Sequence, residues 1–269
     1  MKVDKIYNSY ISHDICKYKI AKKIKAIINP FRFYKYVNNP IKDIVNCGAP
    51  RSGSTLLNII LKEIVTLKVK ALDNFCSEEP DYINKLKNTP TLNITKTHNY
   101  SWLIAKRIEK TKSIGFFTHR DIRDVIVSQM QKGWIKDVDE FLKNKSKFYI
   151  YNSILYAQTK NMIIISYEKL MNDKKTVIKK VGIALNVELT NEEIDEIDIK
   201  TSLNNIKKKI DNMEFIKGAA NEVNSSTGLH KNHINDPTLR KWRNNLTPNE
   251  INLINKQAAE YIRFFNYSK

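Results

Sequence analysis

The chain has 269 residues, 42% of them hydrophobic, enough for one sizeable α/β domain, and this composition excludes disorder as the default state. No apolar run approaches the roughly 20 residues that cross a bilayer, no secretory leader is expected, and Cys16, Cys47 and Cys76 contain no Cys-x-x-Cys pair that would suggest a disulfide framework or a zinc site. A cytoplasmic, metal-independent protein is expected. The 46 Lys+Arg against 28 Asp+Glu give a net charge of +18, which attracts polyanions; the lysines are spread along the chain and no zinc-finger or RRM-type signature accompanies them, so nucleic acid is not an expected partner.

Residues 1–40 are basic, and Ile20, Ile24 and Ile27 among lysines predict an amphipathic helix ending near Pro30. Two readings stand: a helix packed on the domain edge, or one with peripheral contact to a membrane surface. Asp43–Cys47 reads as a short buried strand, followed by a loop at 48–55. Leu56, Leu57, Ile59, Ile60, Ile64 and Val65 then continue at helical spacing. The stretch 73–90 is polar and reads as irregular. Leu92–Thr95 is a second strand and Ser113–Thr118 a third, each leading into polar residues, with a helix from about Ile122 to Lys132. Residues 138–160 suggest one long helix, and Met162–Ile165 the most apolar strand. Thr247-Pro248-Asn249-Glu250 forms a capping box ahead of a terminal helix running to about Phe265.

Short apolar strands alternating with helices predict a three-layer αβα fold around a mostly parallel central sheet. In such sheets ligands sit at the carboxyl ends of strands. Arg51–Thr55, Lys96, His98, Arg120 and Tyr167 all fall there, so a single site is expected. Gly48 to Thr55 has the glycine spacing of a P-loop NTPase-like strand–loop–helix, with Ser54 where that pattern has lysine. Backbone N–H groups of such a turn, with the following helix N-terminus, suit phosphate. The missing lysine disfavours ATP or GTP hydrolysis, and the cation lies inside the loop at Arg51.

Pro50-Arg51-Ser52-Gly53-Ser54-Thr55 resembles the 5′-phosphosulfate loop of the sulfotransferases that use 3′-phosphoadenosine 5′-phosphosulfate (PAPS). The resemblance implies that Arg51, Ser52, Gly53, Ser54 and Thr55 contact the 5′-phosphate and the sulfuryl group. Arg120, followed eight residues on by Ser128, resembles the family's 3′-phosphate element, with Ile122 in place of its usual proline; Arg123 and Asp124 read as surface charge or a structural pair. Tyr167-Glu168-Lys169-Leu170 is similar to the segment whose tyrosine lies against adenine. Lys96-Thr97-His98 matches the element whose histidine is the base, implying His98 as base, Lys96 stabilising the transferred group and Arg51 the leaving phosphate. His119, beside Arg120, suits a structural role, and Glu78 or Glu79 is the alternative base. The Arg-Lys-Gly tripeptide of cytosolic members is absent near the C-terminus; His230, Lys231 or His233 stands in its region, and the chain looks more like bacterial and carbohydrate-type members.

The resemblance implies a basic helical extension at 1–40 and one sulfotransferase domain at 41–269. Its function would be sulfuryl transfer from PAPS to a hydroxyl or amine of a small-molecule or carbohydrate acceptor by in-line displacement, leaving 3′-phosphoadenosine 5′-phosphate (PAP). The stretches 73–90 and 134–160 are expected to line the acceptor pocket. The competing readings are a P-loop small-molecule kinase and a catalytically inactive nucleotide- or glycan-binding module.

Overall fold

The computed structural model describes residues 12–27, 43–69, 71–76, 79–88, 92–212 and 237–267. Five strands form one sheet in the order β2-β3-β1-β4-β5: β1 is Asp43–Asn46, β2 Ala71–Phe75, β3 Leu92–Lys96, β4 Ser113–His119 and β5 Ile163–Ser166. Every pairing is parallel, with Val45 opposite Thr95 on one side and Gly115 on the other. The central strands are buried on both faces, and consecutive side chains feed opposite layers. Ile44 and Phe116 join one core with helix α2 (Ser54–Thr66) and helix α9 (Lys174–Ala184). Val45 and Phe117 join the other, which contains α4 (Trp102–Glu109), α5 (Ile122–Met130), α7 (Ser146–Ala157) and α14 (Ala259–Phe264).

This topology positions the site. The chain leaves β1 into α2 on one face and leaves the adjacent β4 into α5 on the other. The two exits diverge and open a crevice at the carboxyl ends of β1 and β4, where an open α/β sheet takes its ligand. At the opposite end a fully buried cluster closes the sheet. Arg107 of α4 pairs with Asp43 of β1 at 2.8 Å, and Asp43 also accepts from Ser113 and from Tyr82 of α3 (Glu79–Asn88).

Three sequence expectations change. The polar stretch at 73–90 is not irregular: it holds most of edge strand β2 and the helix α3. The single helix expected over 138–160 is two, α6 (Val138–Asn144) and α7, broken where Lys145 leaves helical backbone at φ −124°, ψ −24°. The terminal helix is likewise split into α13 (Pro248–Gln257, with its capping box) and α14, after the short α12 (Trp242–Asn245). Of the expected extension at 1–40, only the helix α1 (His13–Ile27) lies within the described residues. Ile15 anchors it in the core, while Ile20 and Ile24 face solvent at 55% and 58% exposure. Of the remaining helices, α8 (Tyr167–Asn172) packs on β5 and α9, α10 (Asn191–Lys200) on α9, and α11 (Leu203–Asp211) on α10. No helix among the described residues is long and apolar enough to cross a membrane.

Candidate active site

The loop after β1 is built by close approach. A Cβ on Gly48 would lie 2.0 Å from Thr118 Oγ1 and 2.6 Å from Ser54 Cβ, so only glycine lets the loop pass against β4. Ser52, fully buried, donates to the Ala49 carbonyl at 2.6 Å and shares a 2.7 Å hydrogen bond with Thr118. Arg51 and Gly53 hold left-handed backbone at φ 64° and 90°. Gly53 is the N-cap of α2 and brings no capping side chain, which leaves the first N–H groups of that helix to a ligand. Asn46 at the end of β1 fixes the helix start by donating to the Ser54 carbonyl at 2.6 Å.

The cations converge on this loop from three strands. Lys96, at the end of β3 and 2% exposed, donates to Thr55 Oγ1 at 2.9 Å. His98, two residues on, bonds the Gly48 carbonyl through Nδ1 at 2.5 Å. Phe75 lies beside both, its ring 5.8 Å from Lys96 Nζ and 5.5 Å from the imidazole, so the two residues share one side as their spacing requires. A carbonyl only accepts, so Nδ1 carries the ring hydrogen and Nε2 is the acceptor atom of the neutral imidazole. Arg51 reaches across to α5, donating from Nε to Ser128 Oγ at 2.9 Å, and its guanidinium lies 5.6 Å from the Trp134 ring.

Arg120, at the end of β4, is 3% exposed and stacks on the Tyr167 ring at 4.0 Å. Its Nη2 makes only long contacts, 3.4 Å to Asp124 and 3.3 Å to the Thr238 carbonyl, and its buried Nε has no hydrogen-bond partner among the described residues. A buried charged donor without a partner is costly unless something else fills the place. Burial first, and then neighbouring Arg120, brings the Arg51 guanidinium down to about 10. Burial and then Arg51 likewise lower the Lys132 ammonium to about 8. The crevice therefore concentrates positive charge and suits a multiply anionic ligand.

Tyr167 does more than cap a strand end: its ring edge fills the place a Gly53 Cβ would take, 2.7 Å away, which ties α8 to the loop. Beside it a cavity of about 410 Å3 opens between Leu56, Leu170, Thr201 and Leu203, reaching Asp173 and Lys174. Sequence reasoning missed this cavity because its walls lie almost 150 positions apart, although Thr201-Ser202 ahead of a helix was a readable cap signal.

Other sequence assignments sort as follows. Arg123 is structural and buried: it pairs with Asp121 at 2.7 Å, donates to the Tyr267 carbonyl and lies 4.1 Å over Trp242. Asp124 holds the C-terminal segment by accepting the backbone N–H groups of Arg240 and Trp242. His119 is buried and stacked on Phe265 at 4.3 Å, and burial takes its imidazole down to about 3, which suits structure rather than proton transfer. Glu79 accepts the hydroxyl of Ser101, the N-cap of α4. Glu78, His230, Lys231 and His233 lie outside the described residues. In the described C-terminal segment Lys241 is 4% exposed and bonded to Gln131, just beyond α5, at 2.6 Å.

A family model described as the sulfotransferase domain matches residues 41–263. No curated protein matches the sequence. Among solved structures, the chain is similar to mouse sulfotransferase SULT7A1 complexed with PAP, at 18% identity and a TM-score of 0.65 over 84% of this chain and 85% of that one. It is also similar to retinol dehydratase in complex with androsterone and inactive cofactor PAP, at 15% identity and a TM-score of 0.57 over 86% and 85% of the two chains. A retinol dehydratase complex with retinol and PAP gives 16% identity and 0.58 over 83% and 81%. At these identities the likeness to solved structures concerns the fold.

Proposed function

The chain belongs to the sulfotransferase domain family, and from that premise we propose that it transfers a sulfuryl group from PAPS to a hydroxyl or amine of a small-molecule or carbohydrate acceptor. The observation that carries the reading is Arg120: a buried arginine whose Nε has no partner among the described residues, beside the Arg51–Ser128 link. A nucleotide with phosphate at one end only would engage the loop and leave this second group of donors unmatched. A donor with phosphates on both sides of its ribose fits both.

In this reading the loop N–H groups, Arg51 and Lys96 hold the 5′-phosphosulfate, and Arg120 and Ser128 the 3′-phosphate. The cavity beside Tyr167 takes the base, since Leu56 follows Thr55 directly and Leu170 packs against Gly53. His98 Nε2 takes the acceptor proton as the acceptor oxygen or nitrogen bonds to sulfur. The bond from sulfur to the 5′-phosphate oxygen breaks with its electron pair, and Lys96 and Arg51 offset the charge that develops on the leaving phosphate.

An acceptor screen with radiolabelled PAPS tests the reaction, and His98→Ala tests the base. The variant should lose about 10²- to 10⁴-fold in kcat, the usual worth of a general base, while PAP binds within about threefold of the parent. Near-normal kcat in His98→Ala, with loss in Glu78→Gln or Glu79→Gln, would reassign the base. Tighter binding of magnesium–ATP than of PAP would overturn the donor.

A further inference from the structure

Helix α1 turns an apolar stripe away from the domain. Its inner face is Ile15, Tyr18 and Lys22: Ile15 is fully buried, the Tyr18 hydroxyl donates to Asn152 at 3.1 Å, and Lys22 lies 5.3 Å over the Tyr18 ring. Cys16, Ile20 and Ile24 follow one another at four-residue intervals on the outer face, and all three are exposed. At 100° per residue, Lys19 and Lys23 border this stripe on one side and Lys17 on the other, each of them exposed. Lys23 and Lys106 both approach the half-buried Trp102 ring, at 5.7 and 5.5 Å, extending the basic border onto α4. Among the described residues the nearby acids lie off the stripe: Asp14 is on the far side of the helix, Glu260 accepts the backbone N–H of Ser12 at 2.9 Å, and Glu109 is paired with Lys106.

We propose that this face of α1 docks on an anionic membrane surface, with Ile20 and Ile24 entering the interface and Lys17, Lys19 and Lys23 meeting lipid phosphates. Charge selects this occupant. A second copy of the helix would bring lysines against lysines, whereas an anionic leaflet complements them while accepting the isoleucines. Trp102 lies four residues beyond His98, so docking would hold the edge of the site next to the bilayer. The proposal is independent of the reaction assigned above.

The test is co-sedimentation of the full chain with phosphatidylcholine vesicles, with and without phosphatidylserine. Binding should require phosphatidylserine and weaken with salt. Ile20→Ser/Ile24→Ser keeps the charge and should weaken binding about tenfold or more, as loss of two inserted side chains implies. Lys17→Gln/Lys19→Gln/Lys23→Gln should do the same. All of these residues are exposed, and unchanged PAP affinity and circular dichroism would verify the fold. The proposal fails if the parent does not sediment with phosphatidylserine vesicles. It fails equally if the serine variant binds them as the parent does, since charge alone would then act. A dimer in analytical ultracentrifugation that Ile20→Ser/Ile24→Ser dissociates would also overturn it in favour of self-association.

Discussion

Replacing Arg120 by methionine should change which nucleotide the protein prefers more than how well it folds. Methionine keeps an unbranched side chain against the Tyr167 ring but removes the unpartnered Nε and the two long Nη2 contacts. Asp124, the only acid paired with Arg120 among the described residues, keeps the backbone N–H groups of Arg240 at 2.9 Å and Trp242 at 3.1 Å, so it is not stranded. A hydrogen bond to a charged partner is worth about 1.5–3 kcal/mol net, which corresponds to roughly 10- to 150-fold in affinity. Calorimetric titration with PAP and with AMP, which lacks the 3′-phosphate, separates the effects. PAP should weaken by that factor while AMP stays within about threefold, so the preference for PAP collapses. If both nucleotides weaken in parallel, or the preference survives, Arg120 does not read the 3′-phosphate and the reasoning fails.

Two further predictions concern the scaffold. Gly48→Ala puts a methyl 2.0 Å from Thr118 Oγ1, so the loop must shift; a thermal melt should show about 1–3 kcal/mol of destabilisation with PAP affinity largely lost, and a variant that binds PAP normally would refute the close-approach argument. The His119 imidazole titrates in the fold at about 3, against an ordinary value near 6.5. A depressed value means that its contribution is present above about pH 6.5 and lost as pH falls, because the unfolded chain takes up the proton first. Burial raises Glu168, which acts in the opposite sense around and above its ordinary 4.5, so the comparison stops at pH 5.5. Between pH 7 and 5.5 the parent should lose about 1.2 kcal/mol more in urea unfolding than His119→Phe, which keeps a ring against Phe265; equal losses would rule the assignment out.

The layers and the site were legible at different depths. Gly48, Gly53, Arg120 and Lys96-Thr97-His98 could be read from sequence because each follows a strand with a legible apolar signal: Ile44-Val45 in β1, Leu92 and Ile94 in alternation in β3, and Ile114 to Phe117 in β4. Strand β2 could not: it pairs on one side only, with β3, and its Ala-Leu-Asp-Asn-Phe sequence has neither alternation nor an apolar run. The break between α6 and α7 was hidden because apolar residues continue through it, Phe141 and Leu142 before and Tyr149 and Ile150 after, all buried. The contacts that join the two halves of the site, Arg51 to Ser128 and Tyr167 beneath Gly53, span 77 and 114 positions and follow from topology, not from local pattern. The exposure of Ile20 and Ile24 was not legible in the pattern, since a lysine-flanked apolar stripe reads the same whether it faces a core or the outside.

The buried Asp43–Arg107–Tyr82 cluster has a bearing on how freely α3 can shift against the sheet. Tyr82 ties α3 to the floor of the sheet through a hydrogen bond to a fully buried carboxylate. Swinging that helix aside would cost the Asp43 carboxylate and the Arg107 Nε their hydrogen bonds to the Tyr82 hydroxyl, inside a cluster that water does not reach. The position of α3 is therefore set from the end of the sheet farthest from the crevice. The inert end of the sheet thus restricts which parts of the reactive end are free to vary.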